Sequence, residues 1–364
     1  MNYLYFLYTQ FLTNHNIPVI LGDITFAILP FVIVIAVLML MVLFLVYAER
    51  KILALFTQRF GPNRVGYKGI LQTTADALKL LCKQNVTPVG ADKLLFNLAP
   101  ILVFVPVIIL WGLIPYSSEF IFMNFSVSLL LYFAVAVLPV LGIVLAGYAS
   151  NNKYSYMGAI RSCAQIISYE LPISFVMLSI VTLSSSLNLK DIIYSQISDS
   201  AILGWYIFPC ILGFCIMFVA ILAELNRCPF DLPEAESELV AGYNTEYSGM
   251  RFAFFFLAEY ALLFIMSAFM VCIFFGGFLP IGQKYISEMF FANNEYLQTF
   301  IYFEQAIWLF IKSFILVLLI MLVRATLPRM ASKSLLKFSW YFLLPLSIIN
   351  FFLIVIFKYF LGGV

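Results

Sequence analysis

The sequence predicts an all-α polytopic membrane protein: about eight transmembrane helices plus one amphipathic helix on the inner surface. Composition is the first reason. Of 364 residues, 64% are apolar and 10% charged, against about 45–50% and about 25% in soluble domains. A packed soluble core cannot absorb that excess. The second reason is length: about eight apolar runs reach the ~20 residues needed to cross about 30 Å of hydrocarbon. The third is that the basic residues gather in a few loops. Without internal repeats, low-complexity segments or linkers, residues 1–364 read as one membrane domain.

The expected spans follow in order. The first, 24–48, carries no charge. After it, 69–84 reads as a helix lying on the inner surface. There Ile70, Leu71, Ala77, Leu78 and Leu81 are apolar, while Lys79 and Lys83 stand at i,i+4. The next spans are 94–114 and 125–149. The fourth, 158–185, contains Arg161 and Glu170. The fifth is 203–223, and the sixth, 252–279, contains Glu259. The seventh, 301–323, has Glu304 near one end and Lys312 in its middle. The eighth is 340–361.

An even number of spans puts both termini on one side, and Lys and Arg decide which side. The loops after the first and seventh spans hold Arg50, Lys51, Arg59, Arg64, Lys68, Lys79, Lys83, Lys93, Arg324, Arg329, Lys333 and Lys337. The opposite loops and the tail offer only Lys190, Lys284 and Lys358. The basic loops therefore belong on the cytoplasmic or matrix side, with both termini outside. Met1–Leu12 lacks the basic start of a signal peptide.

Several function classes fall away. A net charge of +2 gives no polyanion-binding surface, so no nucleic acid is expected. The lone histidine, His15, rules against histidine-built zinc, haem or di-iron sites. Six cysteines without a C-x-x-C pair give no iron–sulfur or redox-disulfide framework, and they are expected as small core residues. No G-x-G-x-x-G or P-loop offers a nucleotide seat.

Chemistry concentrates in acids. The loop after the fifth span carries Glu224, Asp231, Glu234, Glu236, Glu238 and Glu246 against Arg227. Packed carboxylates beside a low-dielectric phase titrate as a coupled set and can take up and release protons. Some of them have a plainer use: Asp231-Leu-Pro-Glu234 is a capping-box-like pattern with proline in the first turn. Glu170, Glu259 and Lys312 lie inside spans, where a charge costs on the order of 3 kcal/mol. Such groups face the bundle interior and mark ion paths, or they form a buried ion pair, here Lys312 with Glu259 or Glu170. Pro172 removes the hydrogen bond to the Ser168 carbonyl, beside Glu170. That break is either a plain kink or a wet, proton-carrying one. The first inner loop holds eight basic and three acidic residues from Glu49 to Lys93, a charge that anionic lipid headgroups suffice to explain.

These residues carry a resemblance. The blocks are Ala48-Glu-Arg-Lys51 through Gly61-Pro-Asn-Arg-Val-Gly66 and Leu71-Gln72…Ala75-Asp76; Ala149-Ser-Asn through Arg161…Gln165…Ser168-Tyr-Glu170; Ala223-Glu-Leu-Asn-Arg-Cys-Pro-Phe-Asp231 through Glu246-Tyr247; Ala258-Glu259-Tyr260; and Lys312…Arg324-Ala-Thr-Leu-Pro328-Arg329. In this order they resemble the family of membrane subunit 1 of respiratory complex I, the proton-pumping NADH:quinone oxidoreductase. The match spans the chain apart from the first twenty residues and the tail. It departs from the family pattern at Thr57-Gln58-Arg59, at Gln84 and at Met330-Ala331-Ser332-Lys333.

The resemblance implies an enzyme subunit with no redox centre and no metal of its own. Ubiquinone is the implied substrate, with NADH, FMN and iron–sulfur clusters in partner subunits. Implied partners are the peripheral-arm quinone-module subunits, the small membrane-arm subunits and membrane lipids. The first and sixth spans and the surface helix would frame a quinone tunnel mouth, passing Arg50, Arg59, Phe56, Phe252 and Phe256. A proton or charge relay would comprise Glu49, Asp76, Glu170, Glu224, Asp231, Glu234, Glu236, Glu238, Glu246, Glu259 and Lys312. On residues alone, two rival readings stay open: a stand-alone ion antiporter or channel, and the homologous joint subunit of a membrane-bound hydrogenase. Phenylalanine outnumbers alanine, as a T-rich organelle genome would produce. That points to the mitochondrial inner membrane, with a bacterial cytoplasmic membrane as the alternative.

Overall fold

The computed structural model describes residues 19–197, 204–231, 240–281 and 297–360, and these contain no β-strand. The helices are α1 (Val19–Phe56), α2 (Gln72–Cys82), α3 (Lys93–Leu113), α4 (Ser128–Ala136), α5 (Leu138–Ala149), α6 (Lys153–Ser184), α7 (Leu189–Tyr194), α8 (Ile211–Glu224), α9 (Gly249–Phe274), α10 (Leu297–Thr326), α11 (Ser332–Phe338) and α12 (Leu344–Phe360). Among the described residues, seven helices are long and apolar enough to cross a membrane, and α8 is a shorter apolar helix.

Local chemistry sets the boundaries. α1 runs 38 residues, about 57 Å, so its end carries Glu49 and Arg50 beyond the span expected from hydropathy. α2 begins later than expected because Gly69 sits at φ +81, pressed against the Pro62 carbonyl, where a Cβ would lie 2.2 Å from that oxygen. α4 and α5 form one crossing broken at Val137: Pro139 cannot donate to the Val135 carbonyl. α6 starts five residues before the expected span, because the Asn152 side chain caps the Tyr154 N–H. The fifth span differs most. Turns occupy 204–210, and α8 has only 14 residues, about 21 Å, because Pro209 disfavours helix in the residue before it. α11 passes into α12 through a π-turn at Ser339–Leu343.

Two helices organise the packing. α9 is the central column, touching α1, α2, α3, α7 and α10, and from Leu263 to Phe274 every residue is buried. α6 is the second hub, against α5, α8 and α12, while α3 against α5 links the halves. Pro172 does free the Ser168 carbonyl, but Ser339 Oγ donates to it at 2.6 Å. Tyr169 donates its hydroxyl to the Leu335 carbonyl at 3.1 Å. The break is thus answered by one side chain 171 residues away. The cysteines divide: Cys210 and Cys272 are buried, whereas Cys82 and Cys215 are exposed, a correction to the expectation that all are core residues.

Candidate functional site: an apolar mouth and a run of carboxylates along shared cavity walls

The ends of α1, α8, α9 and α10 are tied together by buried charge. Glu49, 2% exposed, accepts two hydrogen bonds from Arg227 Nη1, at 2.8 and 3.0 Å. It also pairs with Arg324 of α10. Arg227 stacks over the Tyr260 ring of α9 at 4.6 Å. The 225–231 segment is held from below by Gln165, whose Nε2 donates to the carbonyls of Ala223 (2.7 Å) and Phe230 (2.8 Å). Asp231 accepts from Arg329 at 2.9 Å, and Met330 N–H donates to the Pro229 carbonyl. Burial and the neighbouring Asp231 carboxylate together push the Cys228 thiol above its usual pKa, with Arg329 acting against them.

The surface helix is placed by its flanks. The Asn85 side chain accepts from Met250 N–H at 3.1 Å, and Ser248 Oγ accepts from Val86 N–H at 3.0 Å. Arg50 of α1 pairs with Asp76 of α2 at 2.5 Å. α1, α2 and α9 thereby enclose an apolar cavity of about 280 Å³, lined by Val42, Arg50, Asp76, Leu80, Ala253 and Phe256 among others.

Phe256 is also a wall of a second, more polar cavity of about 230 Å³, lined by Arg227, Asp231, Asn244, Phe252, Glu259 and Arg324 among others. Glu259 and Asn226 are shared in turn with a small cavity of about 40 Å³ that reaches Glu224 and Tyr243. Glu224 is shared with a fourth, about 20 Å³, whose lining includes Glu170. A continuous series of common walls therefore leads from the apolar mouth through Glu259 and Glu224 to Glu170. Along it, Tyr243 donates its hydroxyl to Glu259 Oε1 at 3.0 Å, and Glu170 Oε1 is buried without a hydrogen-bond partner among the described residues.

The family described as NADH dehydrogenase matches residues 29–355. An NADH-quinone oxidoreductase subunit from Brevibacillus brevis is 43% identical over 90% of this chain and 92% of its own. Proteins of the same description from Bacillus cytotoxicus (45%) and Bacillus mycoides (43%) each align over 86% of this chain and 88% of their own. The chain belongs to the NADH dehydrogenase family. Membership bears out the resemblance read from the ordered blocks.

Within this family member, the residues singled out from sequence separate into groups. Arg50, Asp76 and Phe256 meet at the apolar mouth. Phe252, Phe256, Asp231 and Glu259 meet in the polar cavity. Phe252 and Phe256 stack on each other at 6.3 Å. Phe56 and Arg59 are exposed beyond the mouth and outside its lining. Glu246 stands apart, accepting from Asn152 Nδ2 at 2.7 Å. Glu234, Glu236 and Glu238 lie outside the described residues, so only the Asp231 half of the capping-box pattern is seen.

Lys312 corrects one expectation. It pairs with neither Glu170 nor Glu259. Its ammonium donates to the carbonyls of Phe275 (2.8 Å), Gly277 (3.1 Å) and Leu279 (2.6 Å) and lies 4.7 Å above the Trp205 ring. The cause is the end of α9: Gly276 and Gly277 take positive φ and turn three carbonyls toward one point. That point is about 22 Å along α9 from Glu259. Conversely, Arg227, Arg324, Gln165 and Tyr243 belong to the site, yet none stood out as a candidate. Gln165, Arg227 and Arg324 did carry a signal, being polar residues within motif blocks. Tyr243 is one of 21 tyrosines and carried none.

Proposed function

We propose that this chain is the membrane subunit that joins quinone reduction to proton movement in a complex I-type NADH:quinone oxidoreductase. What supports this most is the series of shared walls from an apolar mouth to Glu259, Glu224 and Glu170. The mouth, framed by α1, α2 and α9, suits an apolar quinone passing Arg50, Phe252 and Phe256, with Arg59 and Phe56 on its approach. NADH, FMN and iron–sulfur clusters belong to partner subunits in this reading, as does the site of quinone reduction. Peripheral-arm subunits cover the basic end, and small membrane-arm subunits meet the flank near Glu170.

The chain's own contribution is to hold and move charge. Glu49, fixed between two arginines, anchors the inner end. Asp76 and Asp231 supply carboxylates at the entrance, and the family resemblance adds Glu234, Glu236, Glu238 and Glu246 to the relay. Glu259, Glu224 and Glu170 carry the change inward, since ionisable groups lining internal cavities mark proton paths. Lys312 adds a further group of the relay at the far end of α9. The named relatives are bacterial, which favours a bacterial cytoplasmic membrane over the mitochondrial inner membrane, with basic loops inside and both termini outside.

Glu224→Gln tests the reading. Coupled quinone reduction by the assembled complex should fall about tenfold or more, while NADH oxidation by an artificial acceptor persists. Wild-type rates for both, with assembly complete, would falsify the relay.

A further inference from the structure

A tyrosine lines the cavity that two of the carboxylates share. Glu259 and Glu224 line the same cavity of about 40 Å³ together with Asn226 and Tyr243. At roughly 10–15 Å³ per water, it has room for about three. The Tyr243 hydroxyl donates to Glu259 at 3.0 Å from a ring that is 2% exposed. Its backbone is pinned: Ser155 Oγ donates to the Tyr243 carbonyl at 3.2 Å, and Gly158 packs against Gly242. Phe255 meets the ring edge-on at 5.6 Å.

We propose that the Tyr243 hydroxyl relays protons between Glu259 and the water-sized cavity that reaches Glu224. This rests on the relay reading above and extends it to a group that is not a carboxylate. A phenol donates one hydrogen bond and accepts others, so it can pass a proton on while receiving another. The phenolic proton moves to the Glu259 carboxylate. A proton from water in the cavity replaces it on the phenol oxygen, and the Glu224 carboxyl group restores that water. The tyrosine ends as it began. One proton has left Glu224 and one has arrived at Glu259, or the reverse.

Tyr243→Phe keeps the ring contacts and removes only the hydroxyl. In the assembled complex, kcat for coupled quinone reduction should fall about tenfold, the effect of losing one hydrogen bond to a charged group. The KM for quinone should stay unchanged. Adding the change to Glu259→Gln should cost nothing further, whereas a merely structural role predicts the same loss in both backgrounds. A wild-type kcat for Tyr243→Phe, beside a slow Glu259→Gln, overturns the tyrosine's part alone. So does an undiminished loss in the double variant. Wild-type coupling in Glu259→Gln itself overturns the underlying relay.

Discussion

At the scale of single residues, burial decides which ion pairs matter. Arg50–Asp76 joins side chains 41% and 36% exposed, so solvent and salt screen it. Glu49 and Arg227 are 3% and 7% exposed, and both are out of water. Glu49→Gln leaves two guanidinium groups without their carboxylate, a loss of about 3–5 kcal/mol. The complex should assemble poorly or melt well below wild type. Asp76→Asn should change stability by no more than about 1 kcal/mol. Thermal unfolding of the purified complex compares the two, and equal effects would contradict the buried clamp. Tyr247 shows the same logic without charge. Its ring stacks on Phe96 at 4.1 Å, and burial pushes its hydroxyl pKa well up, against a small opposing effect of Arg251. It remains a neutral phenol.

At the scale of elements, the contact of α6 with the Gly242–Asn244 turn positions Tyr243, which bonds Glu259. A Cβ on Gly158 would stand 2.8 Å from Gly242 Cα, so Gly158→Ala must displace the turn. Two effects oppose in stability: overpacking costs about 1–3 kcal/mol, and replacing glycine inside a helix returns about 1 kcal/mol. The activity effect is one-sided, because Tyr243 moves with the turn. The variant should keep most of its stability and lose coupled quinone reduction severalfold. A variant as active as wild type would show that the turn tolerates the shift. The proline in α6 gives the complementary lesson. The Ser168 carbonyl that it leaves unpaired is met by Ser339, which joins α6 to the π-turn before α12.

At the scale of the whole molecule, the charged knots collect at one end of the bundle. Glu49, Arg227 and Arg324 form one; Asp231 with Arg329 and Arg50 with Asp76 are neighbours in the loops beside it. Lys312 sits at the other end of α9 with three carbonyls and the Trp205 ring. This polarity matches the distribution of basic loops and makes orientation testable. A reporter cysteine at Lys68 should react with a membrane-impermeant thiol reagent only from the cytoplasmic side, and one at Lys190 only from the outside. Labelling from the reverse sides would invert the topology.

Hydropathy runs and prolines are local properties, so the all-helical architecture was legible directly, as was the break beside Pro172. The acids Glu170, Glu224 and Glu259 were legible for the same reason: a charge in an apolar run is conspicuous wherever its partner lies. Partners are another matter. Glu49 meets Arg227 across 178 residues and Arg324 across 275. Nothing in the spacing of the chain predicts that pairing, because it depends on how α1, α8 and α10 converge. Lys312 shows the same limit. Its depth in a span was evident, yet its partners are carbonyls freed by two glycines at the end of α9, and only packing brings them together. The sequence by itself determined which segments enter the membrane and which of them carry charge. Tertiary structure decided which charges are neutralised, which share a cavity wall, and that Tyr243 bonds one carboxylate beside a cavity reaching another, since each of these depends on distances across helices.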